Sequence, residues 1–162
     1  MSDVNFEDNS IEVMSTIEQI CIAALHEAAG ELTSQVKRNT AVGKVDGGDT
    51  KNSWQYVVNE AEHEAVVGNP KENAIWEEYG TGEYAAKGNG RKGGWFIPIG
   101  NGKGEIPEKT VEAYGFKVIK GEDGKSFAYT KGKEPKHTLE DTFNKNKNKI
   151  KKAIRNKFKE ID

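Results

Sequence analysis

Ile75-Trp76-Glu77-Glu78-Tyr79-Gly80-Thr81-Gly82 is the stretch on which the reading of this chain turns. Ile75 and Tyr79 stand four residues apart and Trp76 and Tyr79 three, the spacing of neighbours on one helix face. The spacing predicts a helix of about one and a half turns, opening at Ala74 after Asn69-Pro70 and ended by a Gly-x-Gly bend that glycine accepts readily. Adjacent helical residues do not face each other, so Glu77 and Glu78 read as the wet side and not as a catalytic carboxylate pair. So short a helix cannot bury its own aromatic face. It has to dock, on the rest of the fold or on a neighbouring subunit.

Outward from it toward the N-terminus, Trp54–Asn59 and His63–Gly68 are short and β-rich with a polar connection. They predict an antiparallel hairpin with Trp54, Tyr56 and Val58 on one face. Before it, Asp49 is a candidate cap for a short turn. Earlier still, Val13, Ile17, Ile20, Ala24, Ala28, Leu32 and Val36 recur at three- and four-residue steps, predicting an amphipathic helix over about 10–39 with Ser10 as N-cap. Residues 1–9 are expected to be loose.

Toward the C-terminus, Lys87-Gly88-Asn89-Gly90-Arg91-Lys92-Gly93-Gly94 reads as a flexible basic loop, and Gly94–Ile99 as a strand that Pro98 places at a sheet edge. A glycine-rich excursion follows. Tyr114–Lys120 and Lys125–Thr130 read as a second hairpin that offers Phe116, Val118, Phe127 and Tyr129 for burial. Thr138-Leu139-Glu140-Asp141, a near capping box, opens a last helix to about Glu160, with Leu139, Phe143, Ile150, Ile154, Phe158 and Ile161 along one side. The fold class expected is α+β: a mostly antiparallel sheet with long N- and C-terminal helices packed on one side. A chain of 162 residues buries roughly 70% of its unfolded surface as one domain, which is the organisation expected over 1–162.

Composition narrows the function. Hydrophobic residues make up 35% and charged residues 31%, which suits a thin domain or one that completes its burial by association. The net charge of -2 conceals polarity: residues 1–36 hold seven acids and no Lys or Arg, whereas residues 131–162 hold eleven bases against five acids. Such ends attract, within a chain or between copies, unless they are simply two solvated helix faces. The single cysteine, Cys21, excludes an internal disulfide and points to a reducing compartment, with the thiol packed as a small hydrophobe. No apolar run approaches the roughly 20 residues that cross a bilayer.

Catalytic, cofactor and metal roles find little support. The 87–94 loop lacks the Gly-Lys-Ser/Thr ending of a nucleotide loop, so Lys87, Arg91 and Lys92 read as contacts to a partner or to a nucleic-acid backbone. His26, His63 and His137 lie on three different elements without metal-ligand spacing. On the last helix, Lys145, Lys149 and Lys152 share a face that could follow phosphates, extended by Arg155 and Lys159, but no aromatics interleave with them.

Several segments, in order, resemble the neck or tail-completion proteins of long-tailed double-stranded DNA phages, the minor capsid or head-tail joining components. They are Ala28-Ala29-Gly30-Glu31-Leu32, Gln35–Thr40, Gly48-Asp49-Thr50-Lys51-Asn52-Ser53-Trp54, Val66–Pro70, Ile75–Gly82 and Lys131-Gly132-Lys133-Glu134-Pro135. The chain departs from the pattern at 100–126, which reads as an inserted loop and hairpin. The resemblance implies a non-enzymatic virion protein without cofactors, made in the host cytoplasm and forming a six-fold or twelve-fold ring at the head-tail junction. Its partners would be head-completion and tail-tube or tail-terminator proteins, with passing DNA at most weakly contacted. On that reading Ile75, Trp76, Tyr79, Gly80, Thr81, Gly82 and Trp95 form the ring interface. A DNA-binding protein using the basic last helix is the alternative, and a small enzyme such as a nuclease a further one.

Overall fold

The structure, a computed structural model, describes residues 8–45 and 47–159. Most of the segment expected to be loose, residues 1–7, lies outside the described residues, as does Ile161 at the end of the last helix's expected stripe. In chain order the elements are α1 (Ser10–Asn39), α2 (Asp49–Asn52), β1 (Gln55–Asn59), β2 (Glu64–Gly68), α3 (Glu72–Tyr79) and a 3-10 turn (Gly82–Tyr84). There follow β3 (Trp95–Pro98), α4 (Glu108–Tyr114), β4 (Lys117–Lys120), β5 (Ser126–Thr130) and α5 (Thr138–Phe158). The class is α+β, and every pairing between these named strands is antiparallel. The strands form two small sheets, β1-β2 and β3-β5-β4.

The chain divides into two compact units. The described residues of the first are 8–35, 55–68 and 142–159. In it β1 and β2 pair with Tyr56 opposite Val67 and Val58 opposite Ala65. Tyr56 sets its ring edge-on to His26, centroids 5.9 Å apart, and lies close over Gly30 of α1. Tyr56 thus packs on α1, whereas Trp54, predicted on the same face, belongs to the second unit. On α1 the stripe is buried at Ala24, Ala28, Ala29 and Leu32. Between Ile11 and Ile17 it is exposed. Asp8, and not Ser10, accepts at the start of α1, taking the Ser10 N–H at 3.0 Å.

The part of α5 in this unit departs from its expected face. Thr142 is its buried residue and Asn146, Ile150 and Ala153 are partly covered, while Phe143 and Phe158 are exposed. Asn146 looked like a gap in the apolar stripe, but it lies on the covered side and donates to the Thr142 carbonyl at 2.8 Å.

The second unit comprises residues 36–54 and 69–141. Trp54 precedes β1 and is buried here, its indole N–H donating to Thr40 Oγ1 at 2.8 Å. Asp49 does not cap α2; its carboxylate pairs with Lys71 Nζ at 3.0 Å. In the three-stranded sheet Pro98 lies on edge strand β3, where its missing N–H costs no ladder bond. The central strand β5 buries Ala128, which stands opposite Ile97 and Val118. Phe127 and Tyr129, on the other face, are partly covered, and Val118 is exposed.

Residues 100–126 contain a helix that periodicity did not predict. α4 starts directly after Pro107 and stops at Gly115, which takes a left-handed conformation with φ 67°. That Pro-before, Gly-after punctuation was a readable signal. Tyr114, expected to begin a strand, ends this helix and accepts the Lys44 N–H through its hydroxyl at 3.0 Å.

Candidate functional site

The predicted aromatic helix exists as α3, but it is turned the other way. Trp76 is 47% exposed and Ile75 and Tyr79 are exposed beside it, whereas Glu78 is only 7% exposed and Ala74 is buried. The supposed wet side is thus the packed side. Glu78 takes two backbone N–H groups at the start of α5, from Leu139 to Oε2 at 2.8 Å and from Glu140 to Oε1 at 2.9 Å. These are donors that a helix leaves without intrahelical partners, and a carboxylate there also meets the positive end of the helix dipole. The capping box expected within Thr138–Asp141 is replaced by a cap from a distant element.

Glu77 is held just as firmly. Lys133 Nζ lies 2.7 Å from its Oε1 and Lys136 Nζ 3.3 Å from its Oε2. Burial pushes the Glu77 carboxyl up, but the hydrogen bond and charge of Lys133, with the charge of Lys136, outweigh it and leave the pKa below its ordinary value. With both acids engaged inward, helical geometry turns Ile75, Trp76 and Tyr79 outward.

The glycine break is welded to the segment before α5. The Thr81 N–H donates to the Lys133 carbonyl at 2.8 Å, the Lys133 N–H returns to Thr81 Oγ1 at 3.0 Å, and the Glu83 N–H reaches the Lys131 carbonyl at 2.8 Å. At Gly82, with φ 61°, a Cβ would run into the Lys131 carbonyl oxygen and the Trp95 ring. Gly80, Thr81 and Gly82 therefore support the aromatic face from behind, and Trp95 is half-buried against Gly82.

The basic loop folds back over the same region. Lys87 Nζ lies 5.6 Å from the centre of the Tyr79 ring, and the Arg91 guanidinium 5.7 Å from that of Trp95, both within cation-π range. The Gly93 N–H donates to Glu83 Oε1 at 3.0 Å and the Tyr129 hydroxyl to the Gly93 carbonyl at 3.2 Å. Lys92 is exposed. The outcome is an apolar, aromatic face rimmed by cations on a rigid base. In the other unit Lys145, Lys149 and Lys152 are exposed along α5.

Among the described residues, Glu78, His137 and Glu140 bring one potential ligand atom each within 4.8 Å of one another. His137, with φ 47°, places Nδ1 3.3 Å from Glu140 Oε2. This grouping was not legible in the sequence, because Glu78 arrives from α3. Its chemistry is that of a helix cap: both Glu78 oxygens already accept N–H bonds, and the positive end of the α5 dipole opposes a cation there.

Comparison with known proteins bears on this arrangement. Residues 8–80 match the model of the HK97-gp10-like family, described as "Bacteriophage HK97-gp10, putative tail-component". The resemblance to phage head-tail and tail components is borne out over that stretch. The HK97-gp10-like match runs from the start of α1 through all of α3 to Gly80, so it includes Ile75, Trp76 and Tyr79. It supports a structural protein of a phage virion, and a structural role fits a chain that is not an enzyme. The match stops before 100–126. No curated protein and no solved structure matches the chain. Among the described residues, no helix is long and apolar enough to cross a membrane.

Glu78, Lys133 and Lys136 are the supporting residues that sequence reasoning missed. A signal was present, since Ile75–Gly82 and Lys131–Pro135 both resemble phage neck proteins in sequence, although the family match covers only residues 8–80. The structure bonds those two segments to each other.

Proposed function

We propose that this protein is a non-enzymatic structural component of a tailed phage or phage-like tail particle, forming a ring at the head-tail junction in a neck, tail-completion or tail-terminator role. The observation that carries the reading is the orientation of α3. Two acids are engaged inward while Ile75, Trp76 and Tyr79 face solvent from a braced helix. Apolar burial by itself would favour the reverse, because each large apolar side chain withdrawn from water contributes about 1.5–3 kcal/mol. An apolar face held outward fits a surface that is covered on assembly. Lys87 over Tyr79 and Arg91 over Trp95 supply a polar rim of the kind that surrounds an interface centre.

On this reading residues 1–162 act as one assembly domain with 100–126 as an insertion. The partners are copies of the chain, head-completion proteins and tail-tube or tail-terminator proteins, joined in the host cytoplasm. DNA threading the ring is touched weakly at most, since a wall that gripped phosphates would hinder its passage.

Trp76→Asp tests the reading. The variant should keep the circular dichroism spectrum of the wild type but fail to enter particles or rings seen by electron microscopy. Loss of the folded chain would show instead that Trp76 is core. A mobility-shift titration with duplex DNA should show weak binding. Tight binding that falls steeply with salt would favour the DNA-binding alternative and its lysine face on α5.

A further inference from the structure

The exposed end of α1 points to one particular contact, which rests on the ring reading above and makes it specific. The apolar stripe of α1 is continuous in sequence, but only its later part is covered within the first unit. Ile11 is 84% exposed and Met14 70% exposed, on the side that carries the buried Ala28 and Leu32 further along. Val13 and Ile17 are exposed beside them.

The reason is the placement of α5, which runs back along α1. Its Asn146, Lys149 and Ile150 share a groove with Gly30 and Ser34, and Lys157 Nζ lies 3.4 Å from Glu27 Oε2. The last turn of α5 thus stands opposite Glu27. From there α1 continues to Ser10, about 25 Å further at 1.5 Å per residue. The β1-β2 turn reaches as far as Glu18, with His63 Nε2 3.9 Å from Glu18 Oε1.

Charge selects the occupant. Asp8, Glu12 and Glu18 accompany this apolar end, and no Lys or Arg occurs before Lys37. Two such ends repel each other, so the complementary surface has to be basic and apolar. The outer face of α5 is both: Phe143 and Phe158 are exposed, and Lys147 and Lys151 lie between them on the same helical side. That face is about 22 Å long, enough to receive Ile11 to Ile17. The Glu27–Lys157 pair shows the same acid-to-base meeting of these two helices inside one chain.

We propose that the Ile11–Ile17 end of α1 docks on the Phe143–Phe158 face of α5 in a second copy of this chain. The two patches differ, so the contact is heterologous and repeats around an axis, closing a ring where the rotation allows.

The test uses the full chain in a Cys21→Ser background. Met14→Cys and Phe143→Cys variants are treated with a short bismaleimide, separately and mixed, with sedimentation velocity of the wild type alongside. The expected result is a cross-linked pair in the mixture and none from either variant alone. Met14→Asp should weaken self-association by about tenfold or more with unchanged circular dichroism. Cross-linking of Met14→Cys with itself would overturn the proposal. So would a wild type that sediments as an oligomer while the mixture gives no cross-link, and that outcome leaves the ring reading standing. A wild type that stays monomeric at every concentration overturns this contact, whereas failure of the ring reading itself would appear as Trp76→Asp particles assembling normally.

Discussion

Replacing Glu78 by alanine should loosen the start of α5 from a distance of some sixty residues along the chain. The carboxylate accepts the N–H groups of Leu139 and Glu140 at 2.8 and 2.9 Å from a position only 7% exposed. Removing a capping oxygen typically costs about 0.5–2 kcal/mol, and a hydrogen bond to a charged acceptor is worth about 1.5–3 kcal/mol. Water can re-solvate part of the exposed helix start, so the loss for Glu78→Ala should be about 2–3 kcal/mol and not the sum of two full bonds. For a protein of this size, that lowers Tm by roughly 4–12 °C.

Glu78→Gln keeps one accepting oxygen but turns an amide N–H toward the other donor, and should cost about half as much. The assay is urea unfolding of the three proteins, paired with hydrogen exchange at the Leu139 and Glu140 amides. Those two amides should lose protection first and most, in the order wild type, Gln, Ala. If Glu78→Ala cost under about 0.5 kcal/mol, or if the two amides exchanged as in the wild type, the account of Glu78 as a cap supplied by α3 would be wrong. The outward orientation of Trp76 would then need another cause.

Two further outcomes follow from the same region. Gly82→Ala places a methyl against the Lys131 carbonyl and the Trp95 ring at φ 61°, and should destabilise by more than about 2 kcal/mol in thermal unfolding; a neutral result would mean the Gly80–Gly82 weld is loose. The Glu77 pair gives a pH signature: with its pKa below the ordinary 4.5, the stability it contributes is fully present above that value and is lost as pH falls through the lowered one. The stability gap between wild type and Glu77→Gln should therefore be constant near neutrality and close in acid. A gap that widened in acid would contradict the pairing with Lys133 and Lys136.

Much of the architecture was legible because it is locally encoded. The 3.6-residue recurrence from Val13 to Val36 located α1, Thr138 marked the start of α5, and Pro98 placed β3 at an edge. α4 was overlooked because seven residues offer too little periodicity, although Pro107 and Gly115 bracketed it. Of the candidate site, the aromatic triplet was correctly placed on a helix. Its neighbours were misjudged: Glu77 and Glu78 look like solvent-facing acids until Lys133, Lys136 and the α5 amides arrive from more than fifty residues away. The same limit shifted the face of α5, where Asn146 proved covered and Phe143 bare while Ile150 stayed partly covered.

The sequence by itself determined most of the segments that are helix or strand, α4 excepted, and that acidic and basic character lie at opposite ends. Those properties depend on residues within a few positions of one another. Only the tertiary structure decided which face of α3 and of α5 is used. An amphipathic pattern states that two faces differ, but burial goes to whichever face finds partners, and a carboxylate offered two unpaired amides and two lysines can outbid three apolar side chains for the inside.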